Sequence, residues 1–224
     1  MSASADLFEV TVAAGGASAR RITTTAYVAA MMSTSPGDDA LNSYIDEVSA
    51  KVARFCGLAA DAAMTPPTFA SETLRATWYV TCHDRGDKLL LPWRIPVSSI
   101  TSIVEAGVTL TTGTDYRLLP GGMVLRLAGD SETPTCWSTA KIVIVYVAGW
   151  ATLSTNAPAD LQAAVAEQVK YRVFAKDRDP ALRSENEPDV YAASYAVAGG
   201  ENIGPSGLLI QVESALAPYR SFAL

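Results

Sequence analysis

The chain has 224 residues, 49% of them hydrophobic and only 18% charged, so it holds ample material for a core. Its 17 basic and 23 acidic side chains give a formal net charge of −6 without any basic run of five or more, which argues against stable duplex binding through phosphate neutralisation. No window approaches the ~20 apolar residues of a membrane span, and Met1 to Val10 carries Asp6 and Glu9 where a secretory signal would carry basic residues.

The opening, through Ala13-Ala14-Gly15-Gly16, is small and flexible in composition. A short helix is expected around Thr25–Met32, where Tyr27, Val28 and Met31 fall at helical spacing. The first long helix is predicted from Asp38 to Cys56. Leu41, Tyr44, Ile45, Val48, Val52 and Phe55 lie on one face of a 3.6-residue period, Asp38 and Asp39 suit the N-terminal end of the helix dipole, and Gly57 supplies the stop. On the outer side Glu47 precedes Lys51 by four residues, the favourable order for an ion pair.

From Ser71 to Ala148 the period changes to two. Trp78, Val80 and Cys82 alternate with Thr77, Tyr79 and Thr81, and Arg85-Gly86-Asp87 turns the chain into Leu89–Leu91. Pro92 and Pro96 bracket Trp93 and Arg94, as prolines do at an edge or strand boundary. Val97–Val104 and Val108–Leu110 flank a hairpin loop at Glu105-Ala106-Gly107. A second hairpin pairs Tyr116 and Leu118 with Met123, Leu125 and Leu127 across Pro120-Gly121-Gly122. Ile142–Ala148 is a nearly unbroken apolar run rich in β-branched residues, the pattern of a strand buried on both faces, and Gly149 ends it.

Asn156-Ala157-Pro158 opens a second long helix, with Leu161, Ala164, Val165, Val169 and Val173 as its buried stripe and an end before Pro180. Residues 181–207 are polar, contain Gly and Pro, and keep no period, so a mobile segment is expected. A short apolar helix follows at Leu208–Leu216, ending at Pro218. The fold class is α+β: a small helical domain interrupted by an inserted antiparallel β subdomain, barrel or sandwich, with a mobile C-terminal tail. Residues 1–70 form an N-terminal arm and the first part of the helical domain, 71–150 the β insertion, 151–180 the second helical part, and 181–224 the flexible segment and docking tail.

Catalytic chemistry finds little to work with. His83 is the single histidine, and its neighbour Asp84 would point to the opposite face of a strand, so the two do not make a base with its orienting carboxylate. Cys56, Cys82 and Cys136 are odd in number and form no CxxC pair; they read as buried thiols in a reducing cytosol, with no ligand spacing for a metal. No phosphate-binding glycine motif occurs, and carboxylate pairs such as Asp84/Asp87 and Glu185/Glu187 fall in solvated turns. No enzyme, cofactor or metal centre is expected.

The order of elements resembles the tailed-phage head–tail connector (adaptor) family, in its longer form with a β insertion. The matching stretches are Ile22-Thr23-Thr24-Thr25 before the short helix and the Asp38–Cys56 helix ending in Gly57. Leu90-Leu91-Pro92 and Pro96-Val97-Ser98-Ser99-Ile100-Thr101-Ser102-Ile103 follow, then Asp115-Tyr116-Arg117-Leu118. Val143–Gly149-Trp150, Pro158-Ala159-Asp160-Leu161 and Leu216-Ala217-Pro218-Tyr219-Arg220 complete the series. The first dozen residues and 181–207 match nothing in that pattern, and the family's acidic cluster before the first long helix is reduced to Asp38-Asp39.

The resemblance implies a structural virion protein of the neck, made in the host cytoplasm. Its subunits would form a homo-oligomeric ring, commonly of twelve, beneath the portal protein. That ring would extend the channel for passing genomic DNA without binding it specifically, and offer a platform to a stopper or tail-completion protein. The low charged fraction fits such burial between copies, and it fits equally an alanine-rich protein. Two other classes are a different neck or tail protein, such as a stopper or tail terminator, and a carbohydrate-binding or hydrolytic module with a cleft at Trp93 or Trp137.

Leu208, Leu209, Ile210, Val212 and Leu216 form an apolar stretch too short to stand alone as a helix, so it must dock on something. Its own subunit's helices are one choice. The portal or a neighbouring subunit is the other, with Tyr219 and Arg220 as anchors of types enriched at binding hot spots.

Overall fold

A computed structural model describes residues 7–32, 37–58, 66–80, 86–91, 95–130, 132–176, 184–187, 191–194 and 202–220. His83-Asp84, Cys82, Trp93 and most of 177–201 lie outside them.

Helix α1 (Thr25–Ala30) begins at Thr24, whose hydroxyl accepts from the Tyr27 amide at 3.1 Å. Helix α2 (Asp38–Phe55) buries Leu41, Ile45, Val48 and Val52 on the stripe their spacing requires. Gly57, at φ +77°, lets the chain leave it: the Leu58 amide donates to the Ala53 carbonyl at 3.1 Å and the Gly57 amide to Arg54 at 3.0 Å. That pair of bonds satisfies two carbonyls the helix end would otherwise strand. A single turn, α3 (Leu153–Asn156), precedes Pro158, and α4 (Ala159–Lys176) follows.

The two long helices pack on each other. Leu161, Val165 and Val169 of α4 are fully buried in one core with Leu41, Ile45 and Val52 of α2. Glu47 and Lys51 do not form the ion pair their spacing favours. Glu47 accepts from Arg172 across the helix pair, and Lys51 donates to the Gly207 carbonyl at 2.8 Å. Tertiary partners outcompete the neighbour along the helix, whose attraction is worth only ~0.3–0.5 kcal/mol.

Strand β1 (Leu7–Val12) lies where only a flexible opening is expected, and pairs antiparallel with β2 (Glu72–Tyr79). Its alternation is faint, because at the sheet edge Phe8 and Val10 are only half-buried. Strands β3 (Lys88–Leu90), β4 (Val97–Glu105), β5 (Val108–Thr109), β6 (Tyr116–Leu119), β7 (Met123–Arg126) and β8 (Lys141–Ala148) follow. They form a five-stranded sheet of order β1-β2-β8-β4-β5 and a three-stranded sheet of order β3-β7-β6. Both predicted hairpins are present. The first turns through Ala106 at φ +51° and Gly107 at φ +84°, the two positive-φ residues that match strand twist.

The two sheets close on one core of Trp78, Trp137, Tyr146, Leu74, Ile103 and Val124, so the β part is a sandwich rather than a barrel. Glu105 faces this core and is 7% exposed. Arg126 donates to it at 2.8 Å, the Ser138 amide does so at 2.7 Å, and the Arg126 guanidinium lies 5.9 Å from the Trp137 ring centre. Partners on both oxygens are what make such a buried carboxylate tolerable.

The segment leading from α2 into β2 and the segment leaving β8 run side by side. The Ser71 amide donates to the Trp150 carbonyl at 3.0 Å, the Trp150 amide to Phe69 at 2.9 Å, and the Phe69 and Trp150 rings meet at 5.8 Å. Gly149 permits that approach: it sits at φ +102°, and a Cβ there would lie 2.3 Å from the Ala70 carbonyl oxygen. Gly149→Ala is expected to cost about 1–3 kcal/mol, read as a lower urea midpoint. An unchanged midpoint would mean the two crossings do not run together.

Residues 184–187 and 191–194 form a small hairpin, β9 (Ser184–Glu187) with β10 (Tyr191–Ser194), inside the stretch expected to lack structure. The last helix is α5 (Ile210–Leu216).

Candidate docking site at the C-terminal tail

The approach to α5 is a tight turn. The Gly204 amide donates to the Leu208 carbonyl at 2.8 Å, and the Gly207 amide donates to Gly204 at 2.8 Å. Ser206 donates its hydroxyl to Glu213 at 2.5 Å and accepts from the Leu208 amide at 3.1 Å. A side chain at Gly204 would strike the Glu213 carboxylate, with Cβ 2.2 Å from its nearest oxygen.

This turn delivers the apolar stretch onto the chain's own helices. Leu208 and Leu216 are fully buried and Leu209 and Val212 nearly so, in the same core as α2 and α4. The Leu209 amide donates to Oε1 of Gln168, itself 2% exposed, at 2.8 Å. At the other end the Tyr219 hydroxyl donates to Asp160 at 2.6 Å. Leu209 against Gln168 and Tyr219 against Asp160 set α5 antiparallel to α4. The Arg220 guanidinium lies 5.0 Å from the centre of the Phe55 ring, within range of a cation–π attraction.

The seven residues singled out in the sequence therefore divide. Leu208, Leu209, Val212 and Leu216 complete the subunit's own helical core, whereas Ile210 is 51% exposed, Arg220 is exposed and Tyr219 is half-buried. The sequence signal that separates them is Gln168 and Asp160 on α4, polar residues spaced to meet the tail; neither stands out without the tertiary contact.

Burial, and then the bond to Asp160, push the Tyr219 phenol up to about 12, so it stays a proton donor through the neutral range. A folded value above the ordinary one places the full stabilisation below about pH 10 and removes it as pH rises through 12. Tyr219→Phe is expected to cost about 1 kcal/mol at neutral pH, with the gap to wild type shrinking above pH 10 in urea titrations. A gap that widened there would contradict the assigned bond. Burial likewise raises the Cys56 thiol to about 12, with Arg220 pulling the other way, which keeps it from acting as a nucleophile.

A cavity of about 380 Å³ opens between the N-terminal turn and α2, lined by Gly15, Arg20, Asp46, Ser49 and Thr68 among others. Two of its polar groups are engaged within the fold: Asp46 pairs with Arg21 at 2.7 Å, and Ser49 accepts from the Ile22 amide at 3.2 Å; Nε of Arg20 is buried without a hydrogen-bond partner among the described residues. Among the described residues no group of three or more His, Cys, Asp or Glu is placed to hold a metal ion, and no helix is long and apolar enough to cross a membrane.

The fold has counterparts among solved structures. The chain is similar in fold to a chain in the neck of an empty gene transfer agent (GTA) particle computed with C6 symmetry, at TM-score 0.54 and 19% identity over 97% of each chain. It is also similar to a chain in the neck of a native GTA particle computed with C12 symmetry, at TM-score 0.52 and 17% identity over 97% of each. A chain of the native GTA virion matches at TM-score 0.52 and 18% identity, over 97% of this chain and 96% of that one. No protein-family model matches the sequence, and no curated protein does. At these identities the likeness is one of fold.

Proposed function

We propose that this chain is a structural protein of the neck of a tailed, phage-like particle: a head–tail adaptor whose copies form a ring beneath the portal protein. The observation that carries the reading is the fold likeness to neck chains along 97% of both chains. Those necks were computed with C6 and C12 symmetry, which supports a cyclic assembly and favours twelve copies here. The net charge of −6 suits a channel that lets genomic DNA pass without holding it. The ring would extend the portal channel and present a platform to a stopper or tail-completion protein, in the virion, after synthesis in the host cytoplasm. Its task is mechanical and needs no catalytic residue or cofactor.

Within the tail, Leu208, Leu209, Val212 and Leu216 hold α5 on the subunit. Ile210, Tyr219 and Arg220 form the rim that a portal or neighbouring subunit would touch. The test is light scattering of the purified chain with and without its portal. Portal-dependent growth to a ring is the expected result, and a monomer in both conditions would overturn the reading.

A further inference from the structure

Strand β8 asks for cover on two sides and, among the described residues, receives it on one. Its run from Ile142 to Ala148 has no charged residue, yet only Ile142, Ile144, Tyr146 and Ala148 point into the sandwich, all fully buried. The alternate residues Val143, Val145 and Val147 are half-buried, and with Val104 they belong to neither hydrophobic core of the described residues.

The register sets these valines side by side on the outer face of the five-stranded sheet. Val143 lies between Thr77 and Val104, and Val145 between Arg75 and Ser102. The face is therefore apolar along its centre, with small hydroxyl side chains beside it. The charges on this face lie at its margins: Arg75 pairs with Glu9 at 3.1 Å toward the β1 edge, and Lys141, exposed at the start of β8, sits 6.0 Å from the Tyr79 ring centre. A nucleic acid needs a row of cations, and one lysine at the end of β8 beside a paired arginine does not supply it. An uncharged, β-branched centre suits an equally apolar protein surface.

We propose that this outer face is the contact between subunits and is covered by a second copy of this chain. The proposal rests on the ring reading above, because a cyclic ring is built head to tail and needs two different surfaces on each subunit. The second surface is on the helical half. Phe174, 44% exposed near the end of α4, and Ile210, 51% exposed at the start of α5, lie at the same end of that antiparallel pair. They are apolar, as the valine centre of the sheet face is.

Two variants test the arrangement, each assembled on portal and counted as subunits bound per portal. Val145→Arg and Phe174→Arg are each expected to weaken ring formation about tenfold or more, with unchanged circular dichroism as free subunits. Mixed together, they retain one good face each and should form dimers that go no further. Val145→Thr keeps shape and β-propensity and replaces Val145→Arg if the latter fails to fold; it too should weaken assembly.

Wild-type rings with equally good rings from folded Val145→Arg would overturn the face assignment while leaving the adaptor reading intact. Self-association that survives while portal binding is lost would assign the face to the portal instead and overturn it too. A variant that loses monomer stability with Thr as well as Arg would mean the chain covers this face itself, again against the proposal. If the wild type forms no ring on portal, the adaptor reading is what fails.

Discussion

Val169→Asp is expected to unfold the helical half of the protein. Val169 is fully buried on α4, in the hydrophobic core that α4 shares with α2. An Asp buried in that core costs several kcal/mol as a charge or shifts its pKa upward to bury a neutral acid. Val48→Asp, on the α2 side and 2% exposed, should behave alike. Glu47→Gln is the control: its pair with Arg172 bridges the same helices, but the side chains are 53% and 35% exposed, which limits it to ~0.2–1 kcal/mol. Urea titration followed by far-ultraviolet circular dichroism separates them. If either Asp variant shifts the midpoint no more than Glu47→Gln, the helices do not pack through these faces.

The tail should show the second large effect. Leu216→Ala removes a fully buried side chain from the helical core and leaves a void, for an expected loss of about 2–5 kcal/mol. Ile210→Ala, at an exposed position six residues earlier on the same helix, should stay within about 0.5 kcal/mol of wild type. Assembly on the portal is expected to rank them otherwise, with Ile210→Ala impaired although its fold is intact. Equal stability losses for the two would mean that α5 is not seated on α4 as described.

The contrast within the tail shows where sequence reading reaches its limit. Periodicity announces that Leu208 through Leu216 must be covered, because an isolated short helix is marginal in water. It does not say by what. The cover is set by Gln168 and Asp160, whose bonds to Leu209 and Tyr219 exist only once α4 and α5 are side by side. The long helices were legible for the opposite reason: their stripes are wide, and a 3.6-residue period over eighteen residues has few alternatives.

Strand β1 was hidden because an edge strand buries little, leaving Phe8 and Val10 as a weak alternation beside alanines and glycines. For β8 the sequence gives a demand that one chain meets only in part. Its continuous apolar run predicts burial on both faces, whereas within the subunit Val143, Val145 and Val147 stay half-exposed. The buried Glu105 and Arg126 pair was not readable at all, since hairpin and strand positions look solvated until the second sheet closes over them.

We propose that copies of this chain close into a ring on the portal. Negative-stain images of the purified protein incubated with its portal test that most directly. The expected class averages show an added ring of cyclic symmetry coaxial with the portal, at twelve copies. Portals that stay bare beside free subunits, or that gain a single unsymmetrical density, would contradict it.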